Sequence, residues 1–178
     1  SGMATDLVAD GLDQDWQQAR LERLDRVQAQ ALAADLIRQH VARANSAVHQ
    51  AAQHTPEYSG MGTTLVVGLF FDNLLTVGHV GDSRLYRLRG DALDQLTRDH
   101  SLLQEQIDQG VISKEEARLS HNRNLVTRAL GVDPAVETEV HSHVVVPGDV
   151  YLLCSDGLND MIDDEEIRLT LLTLKSNV

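Results

Sequence analysis

The sequence predicts an α+β fold from three features. Residues 3–53 contain no proline and carry apolar residues at helical spacing; residues 63–96 are short β-branched and aromatic runs divided by tight turns; and helical spacing returns after Asp163. At 178 residues the chain fits one domain, with a core large enough to need no covalent staples. Its single cysteine, Cys154, permits no disulfide within the chain and sits in an apolar run, where it reads as a small hydrophobe suited to a reducing compartment.

In the N-terminal segment, Leu32, Leu36, Ile37, Val41, Ala44 and Val48 recur on one helical face. Gly can close one helix and Asp can cap the next, so Gly11 and Asp13 predict a break, with a short helix near 3–10 and longer helices to about 53. Trp16 reads as a packing residue. His40, His49 and His54 lack the i, i+4 spacing that would put two imidazoles on one helical face. Pro56 and Gly60-Met61-Gly62 turn the chain. Strands are then predicted at Thr63–Phe71, Leu74–Val80, Arg84–Leu88 and Ala92–Leu96. Their connections are too short for a parallel crossover, which predicts an antiparallel meander.

Beyond Thr97, Ser101–Gln109 reads as a helix closed by Gly110, and Ser113 with Glu116 makes a capping-box pattern for a helix to about Leu119. Ser120–Asn124 is a polar loop, and Leu125–Leu130 is apolar around Arg128. Val136–Val146 alternates as a strand, predicted to pair across the Pro147-Gly148-Asp149 turn with Val150–Cys154. Asp163 and Glu166 form a second capping box before Ile167, Leu171 and Leu174. The acids around them lack the alternating ligands and central glycine of a calcium loop.

Fifteen basic and 27 acidic residues give a formal charge of −12, which argues against nucleic acid or an anionic membrane as the main partner and suits divalent cations. No apolar run approaches a membrane span, and no basic stretch leads an apolar core as in a signal peptide, so the chain reads as soluble and cytoplasmic. Two acids stand out. Asp156 lies in Ser155-Asp156-Gly157, where a strand-forming run gives way to turn formers; Asp82 lies in Gly81-Asp82-Ser83, a glycine-flanked bend between strands. A carboxylate beside a residue without a side chain can hold a cation or orient a water, although Ser-Asp-Gly alone reads as a capped turn.

Five segments in order carry a resemblance: Gly60-Met61-Gly62-Thr63-Thr64, Gly78-His79-Val80-Gly81-Asp82-Ser83-Arg84, Leu96-Thr97-Arg98-Asp99-His100-Ser101, Leu125-Val126-Thr127-Arg128-Ala129-Leu130-Gly131 and Leu153-Cys154-Ser155-Asp156-Gly157-Leu158. Together they closely resemble the PPM family, the type 2C metal-dependent protein serine/threonine phosphatases, in its bacterial branch. The resemblance implies a four-layer α/β/β/α sandwich of two mainly antiparallel sheets between helices, spanning 1–178 as one domain. It implies Mn²⁺ or Mg²⁺ between the sheets and a metal-bound water that attacks phosphoserine or phosphothreonine on a protein, opposing a Ser/Thr kinase. Asp156 and Asp82 match metal-binding acids of the family, flanked by Ser155, Gly157, Gly81 and Ser83. Residues 104–124 correspond to a flap, with His121, Arg123 and Asn124 on its substrate side.

The chain also departs from the family pattern. Asp-Gly-Met-Gly-Gly-His, whose aspartate bridges two metals and whose histidine is a proposed general acid, is absent, as is the final Asp-Asn motif. His-Pro-x-Arg is replaced by His121-Asn122-Arg123-Asn124. The reading that follows is a central phosphatase segment, incomplete at both ends and impaired or inactive by itself, with no catalytic residue assigned. The alternative is a non-catalytic relative that binds phosphoproteins or partner proteins. Unpaired sheet edges predict a homodimer or strand exchange.

Overall fold

The computed structural model describes residues 2–19, 24–113, 116, 117, 120 and 125–176. Its elements are α1 (Gly2–Ala19), α2 (Arg26–His54), β1 (Leu65–Phe71), β2 (Leu74–Val80), β3 (Arg84–Arg89), β4 (Ala92–Gln95), α3 (Leu102–Asp108), β5 (Glu139–Val144), β6 (Val150–Cys154), α4 (Asp156–Met161) and α5 (Asp164–Lys175). Two antiparallel three-stranded sheets form, in the orders β1-β2-β5 and β4-β3-β6.

Strand β2 shows why these sheets stack. All seven of its residues are buried, because alternate side chains point to opposite faces and both faces are covered. Leu74 and Val80 join Ile37, Val41 and Val48 of α2 in one apolar layer, whereas Leu75 and Val77 pack with Leu85 of β3 in a second. Tyr86 and Leu88 point the other way from β3 and pack with Ile167 and Leu171 of α5 in a third. Three apolar layers between four layers of secondary structure make the α/β/β/α sandwich. Gly78 sets the closeness of α2 to its sheet, since a Cβ there would lie 2.3 Å from Ile37 Cγ2.

Helix α1 runs through Gly11 and Asp13 without the predicted break. Gly11 serves packing instead: its missing Cβ leaves room for His40 of α2, whose ring would lie 2.6 Å from it. His40 is buried and pairs through Nε2 with Asp15 at 2.9 Å, while Trp16 packs on Phe71 with ring centroids 4.9 Å apart. Helix α2 starts at Arg26, where Asp25 caps it in a capping box with Gln28. The Asp163–Glu166 and Ser113–Glu116 boxes form as predicted, whereas Ser101, expected inside helix α3, instead caps it from outside.

The strand pairings correct the meander. Gly81-Asp82-Ser83 carries the chain from the first sheet to the second, so β2 and β3 are not partners; β2 pairs instead with β5. Nor does β5 pair with β6 across Pro147-Gly148-Asp149. That turn crosses between sheets, and β6 pairs with β3. Central strands with both faces apolar gain most from neighbours that also present two usable faces, an advantage local turn chemistry does not register.

Candidate active site

Asp82 sits where the chain changes sheets, in a cradle built by its neighbours. Gly81 adopts φ +103°, and a Cβ there would lie 2.3 Å from Thr64 Cγ2, so only glycine lets the bend press against Thr64. The Thr64 and Ser83 hydroxyls are 2.8 Å apart. His100 fixes Gly81 at two points: the Gly81 amide donates to His100 Nδ1 at 3.0 Å, and the His100 amide donates to the Gly81 carbonyl at 3.0 Å. Asp82 is therefore buried at 8% exposure. Burial, and then the negative charge of Asp156, push its carboxyl above the usual carboxylate range.

Asp156 approaches from β6. It opens helix α4 rather than a turn, with Ser155 as an extended N-cap whose side chain makes no capping bond. Asp156 is exposed, and its Oδ1 accepts from the Gly157 amide at 2.9 Å. Gly157 is helical, and a Cβ there would meet nothing nearer than Ser155 Oγ at 3.7 Å, so the site is open here but the backbone does not require glycine. The two acids thus occupy unlike settings, one buried in a bend and one exposed at a helix start.

A hydrogen-bonded network beneath them holds α4 in place, and sequence reasoning missed it. Arg84 grips Asp99 through Nε at 3.0 and 3.1 Å and through Nη2 at 2.7 Å, and its Nη1 donates to the Tyr86 hydroxyl at 2.9 Å. Burial opposes the guanidinium charge, but the Asp99 bonds outweigh it and hold Arg84 firmly protonated. The Tyr86 hydroxyl also accepts from Asn159 Nδ2 at 2.7 Å and donates to Asp164 at 2.9 Å. The β3–β4 hairpin brings Asp99 to Arg84, and only the β3–β6 pairing brings Asn159 and Asp164 to Tyr86.

Among the described residues, Asp82 and Asp156 line one cleft of about 440 Å³ with four more aspartates and one cation, Arg84. Arg84 is already paired with Asp99, so the cleft field is negative and favours a cation. Leu103, Gln104 and Ile107 of α3 line the same cleft. His121, Arg123 and Asn124 lie outside the described residues. Among the described residues, no third His, Cys, Asp or Glu joins Asp82 and Asp156 in a three-donor group; the one such group is His79, Glu139 and His141 on β2 and β5. The spacing Glu139-x-His141-x-His143 on a strand was the signal available for it, because alternate residues share a face.

The fold and these motifs have relatives. Against the serine/threonine protein phosphatase PstP of Mycobacterium tuberculosis the chain is 44% identical over 123 residues, covering 69% of this chain and 24% of that protein. Against protein phosphatase PhpP of Streptococcus pneumoniae it is 40% identical over 124 residues, covering 70% of this chain and 50% of that protein. The chain thus spans half or less of these two relatives. Among solved structures, that of the M. tuberculosis phosphatase PstP/Ppp superposes with a TM-score of 0.78 at 37% identity, over 94% of this chain and 67% of the other. The PstP catalytic domain in complex with two manganese ions gives 0.74 at 36% identity, over 97% and 68%. Residues 1–175 match the family described as Protein phosphatase 2C, and with the sandwich and its motifs in register the chain belongs to the type 2C (PPM) family of serine/threonine protein phosphatases.

Proposed function

We propose that this chain carries the central part of a metal-dependent phosphatase site that hydrolyses phosphoserine and phosphothreonine on proteins, opposing a Ser/Thr kinase. The observation that carries the reading is the pairing of Asp82 with Asp156: a buried carboxyl and an exposed one share a negative cleft, where a cation would relieve the cost of ionising both. Mn²⁺ or Mg²⁺ is the cation expected, since all-oxygen donors suit hard ions. The described donors fit one side of such a cluster and do not enclose it. Asp82 and Asp156 would each lend an oxygen, Gly81, Ser83, Ser155 and Gly157 would shape their approach, and α3 would bound the substrate side together with His121, Arg123 and Asn124.

The test is Mn²⁺-dependent release of phosphate from a phosphothreonine peptide by the full gene product and by residues 1–178 alone. The full product is expected to turn over and to lose about 100-fold or more on Asp156→Asn, since even outer partners of a metal cost 10- to 100-fold. The 178-residue chain, with only Asp82 and Asp156 of the metal-binding acids that the family motifs supply, is expected to turn over little. A metal-replete full product that binds the phosphopeptide yet releases no phosphate would replace this reading with a non-catalytic phosphoprotein binder.

The acidic charge disfavours nucleic acid as a partner. No described helix is long and apolar enough to cross a membrane. Strands β5 and β6 end their sheets, with Val144 and Leu153 exposed, which supports association between copies through those edges. Sedimentation that stays monomeric at high concentration would remove that part of the reading.

A further inference from the structure

Between the two sheets, away from the Asp82–Asp156 cleft, lies a second set of donors. His79 and Glu139 face each other directly in the β2–β5 register, and His141, two residues along β5, shares their face. One possible ligand atom from each of the three lies within 4.8 Å of the others.

The hydrogen bonds specify which atoms are available. His79 Nε2 lies 2.8 Å from the Arg98 carbonyl, and His141 Nε2 lies 2.7 Å from the Leu96 carbonyl. A carbonyl accepts only, so both Nε2 atoms carry the proton and both Nδ1 atoms hold a free lone pair. His79 is 1% exposed, and its Nδ1 has no hydrogen-bond partner. An orphaned buried acceptor is rare and calls for an occupant. Metal-ligating histidines have this same arrangement, one nitrogen donating to a backbone carbonyl and the other pointing at the ion. Glu139 gives Oε2 to His100 at 3.2 Å, which leaves its other oxygen for an ion.

We propose that His79 Nδ1, His141 Nδ1 and a Glu139 oxygen form a binding site for a borderline first-row divalent ion, Zn²⁺ foremost. Two imidazoles and one carboxylate suit zinc, whereas the all-carboxylate pair at the cleft suits Mn²⁺ or Mg²⁺. Ligand atoms around tetrahedral zinc sit roughly 3.4 Å apart, from bonds of about 2.1 Å. Glu139 and His141 are half-buried on the edge strand β5, which leaves an ion a way in. Occupancy would tie β2, β5 and the Leu96–Arg98 segment together, and it stands apart from whether the chain hydrolyses phosphoesters.

The test is titration of the metal-stripped chain with Co²⁺, read by its visible d–d absorption, followed by displacement with Zn²⁺. One saturable equivalent is expected, weakened roughly 10-fold or more by His141→Asn and by Glu139→Gln, a ligand loss costing at least what an outer partner does. Asp156→Asn should leave it unchanged, and circular dichroism establishes that each variant is folded. Should His141→Asn fail to fold, the near-isosteric Glu139→Gln and the wild-type stoichiometry decide. No saturable uptake, leaving water alone on His79, would overturn the proposal. So would uptake that Asp156→Asn abolishes and Glu139→Gln leaves intact.

Discussion

Arg89 holds Asp149 in a two-pronged ion pair, Nε to Oδ1 at 2.8 Å and Nη2 to Oδ2 at 2.7 Å, and so ties the end of β3 to the turn that crosses between the sheets. The same arginine donates to the Val144 carbonyl at 2.8 Å, while Asp149 Oδ2 accepts from the Val146 amide at 2.9 Å and the Tyr151 hydroxyl at 3.1 Å. The guanidinium bonds, joined by that amide and hydroxyl, hold the Asp149 carboxyl far below its ordinary value of 3.8. A carboxyl depressed in the folded state adds stability above the unfolded pKa, and that stability is lost as pH falls through the folded one. Asp149→Asn is therefore expected to lower stability at neutral pH and to flatten its decline below pH 3.8, measured by urea unfolding across acid pH.

Tyr86→Phe should cost about 1–3 kcal/mol, because Asn159, Arg84 and Asp164 each lose a partner in a buried setting. Denaturant unfolding measures it. In the full gene product the same change should weaken Mn²⁺ more than it alters the fold, since the hydroxyl anchors the helix that Asp156 opens.

Gly81→Ala should destabilise by more than about 1 kcal/mol, for two separable reasons: φ +103° and the Thr64 methyl 2.3 Å from the new Cβ. Thr64→Ala removes the methyl but neither the backbone strain nor the Thr64 Cβ at 2.6 Å, so the double variant should recover only part of the loss. Thermal unfolding of the three variants separates the two contributions.

Gly11→Ala reverses an ordinary expectation. In an open helix interior this change stabilises by about 1 kcal/mol. Here the methyl would lie 2.6 Å from the His40 ring and displace it from Asp15, so the melting temperature should fall.

Local patterns foretold much of the fold. Val150–Cys154 and Leu74–Val80 occupy the predicted residues, and the Asp163 and Ser113 caps form, because alternation and capping act within a few residues. What escaped depends on distant partners. Gly11 looks like a helix end until His40 is known to press against it. Gly81-Asp82-Ser83 and Pro147-Gly148-Asp149 look like hairpin turns until β2 is seen to pair with β5 and β3 with β6. Asp82 and Asp156 were recognisable through their motifs, but their contrasting burial and the Arg84–Tyr86–Asp164 support beneath them were not. His79 and His141 belong to different strands, and nothing short of the register brings them together.

The chain's two crossings between sheets also dictate an order of assembly. Thr76 bonds Ser142, 66 positions away, so the first sheet stays a two-stranded hairpin until β5 arrives. By then β3 and β4 have been made and wait in turn for β6. Because closing such long loops precedes any reward from the contacts they bring, both sheets are finished late and close together. During synthesis, the apolar face of β3 that carries Tyr86 and Leu88 is exposed to other chains until roughly residue 171 has left the ribosome, which makes this stretch the one where a chaperone would matter most.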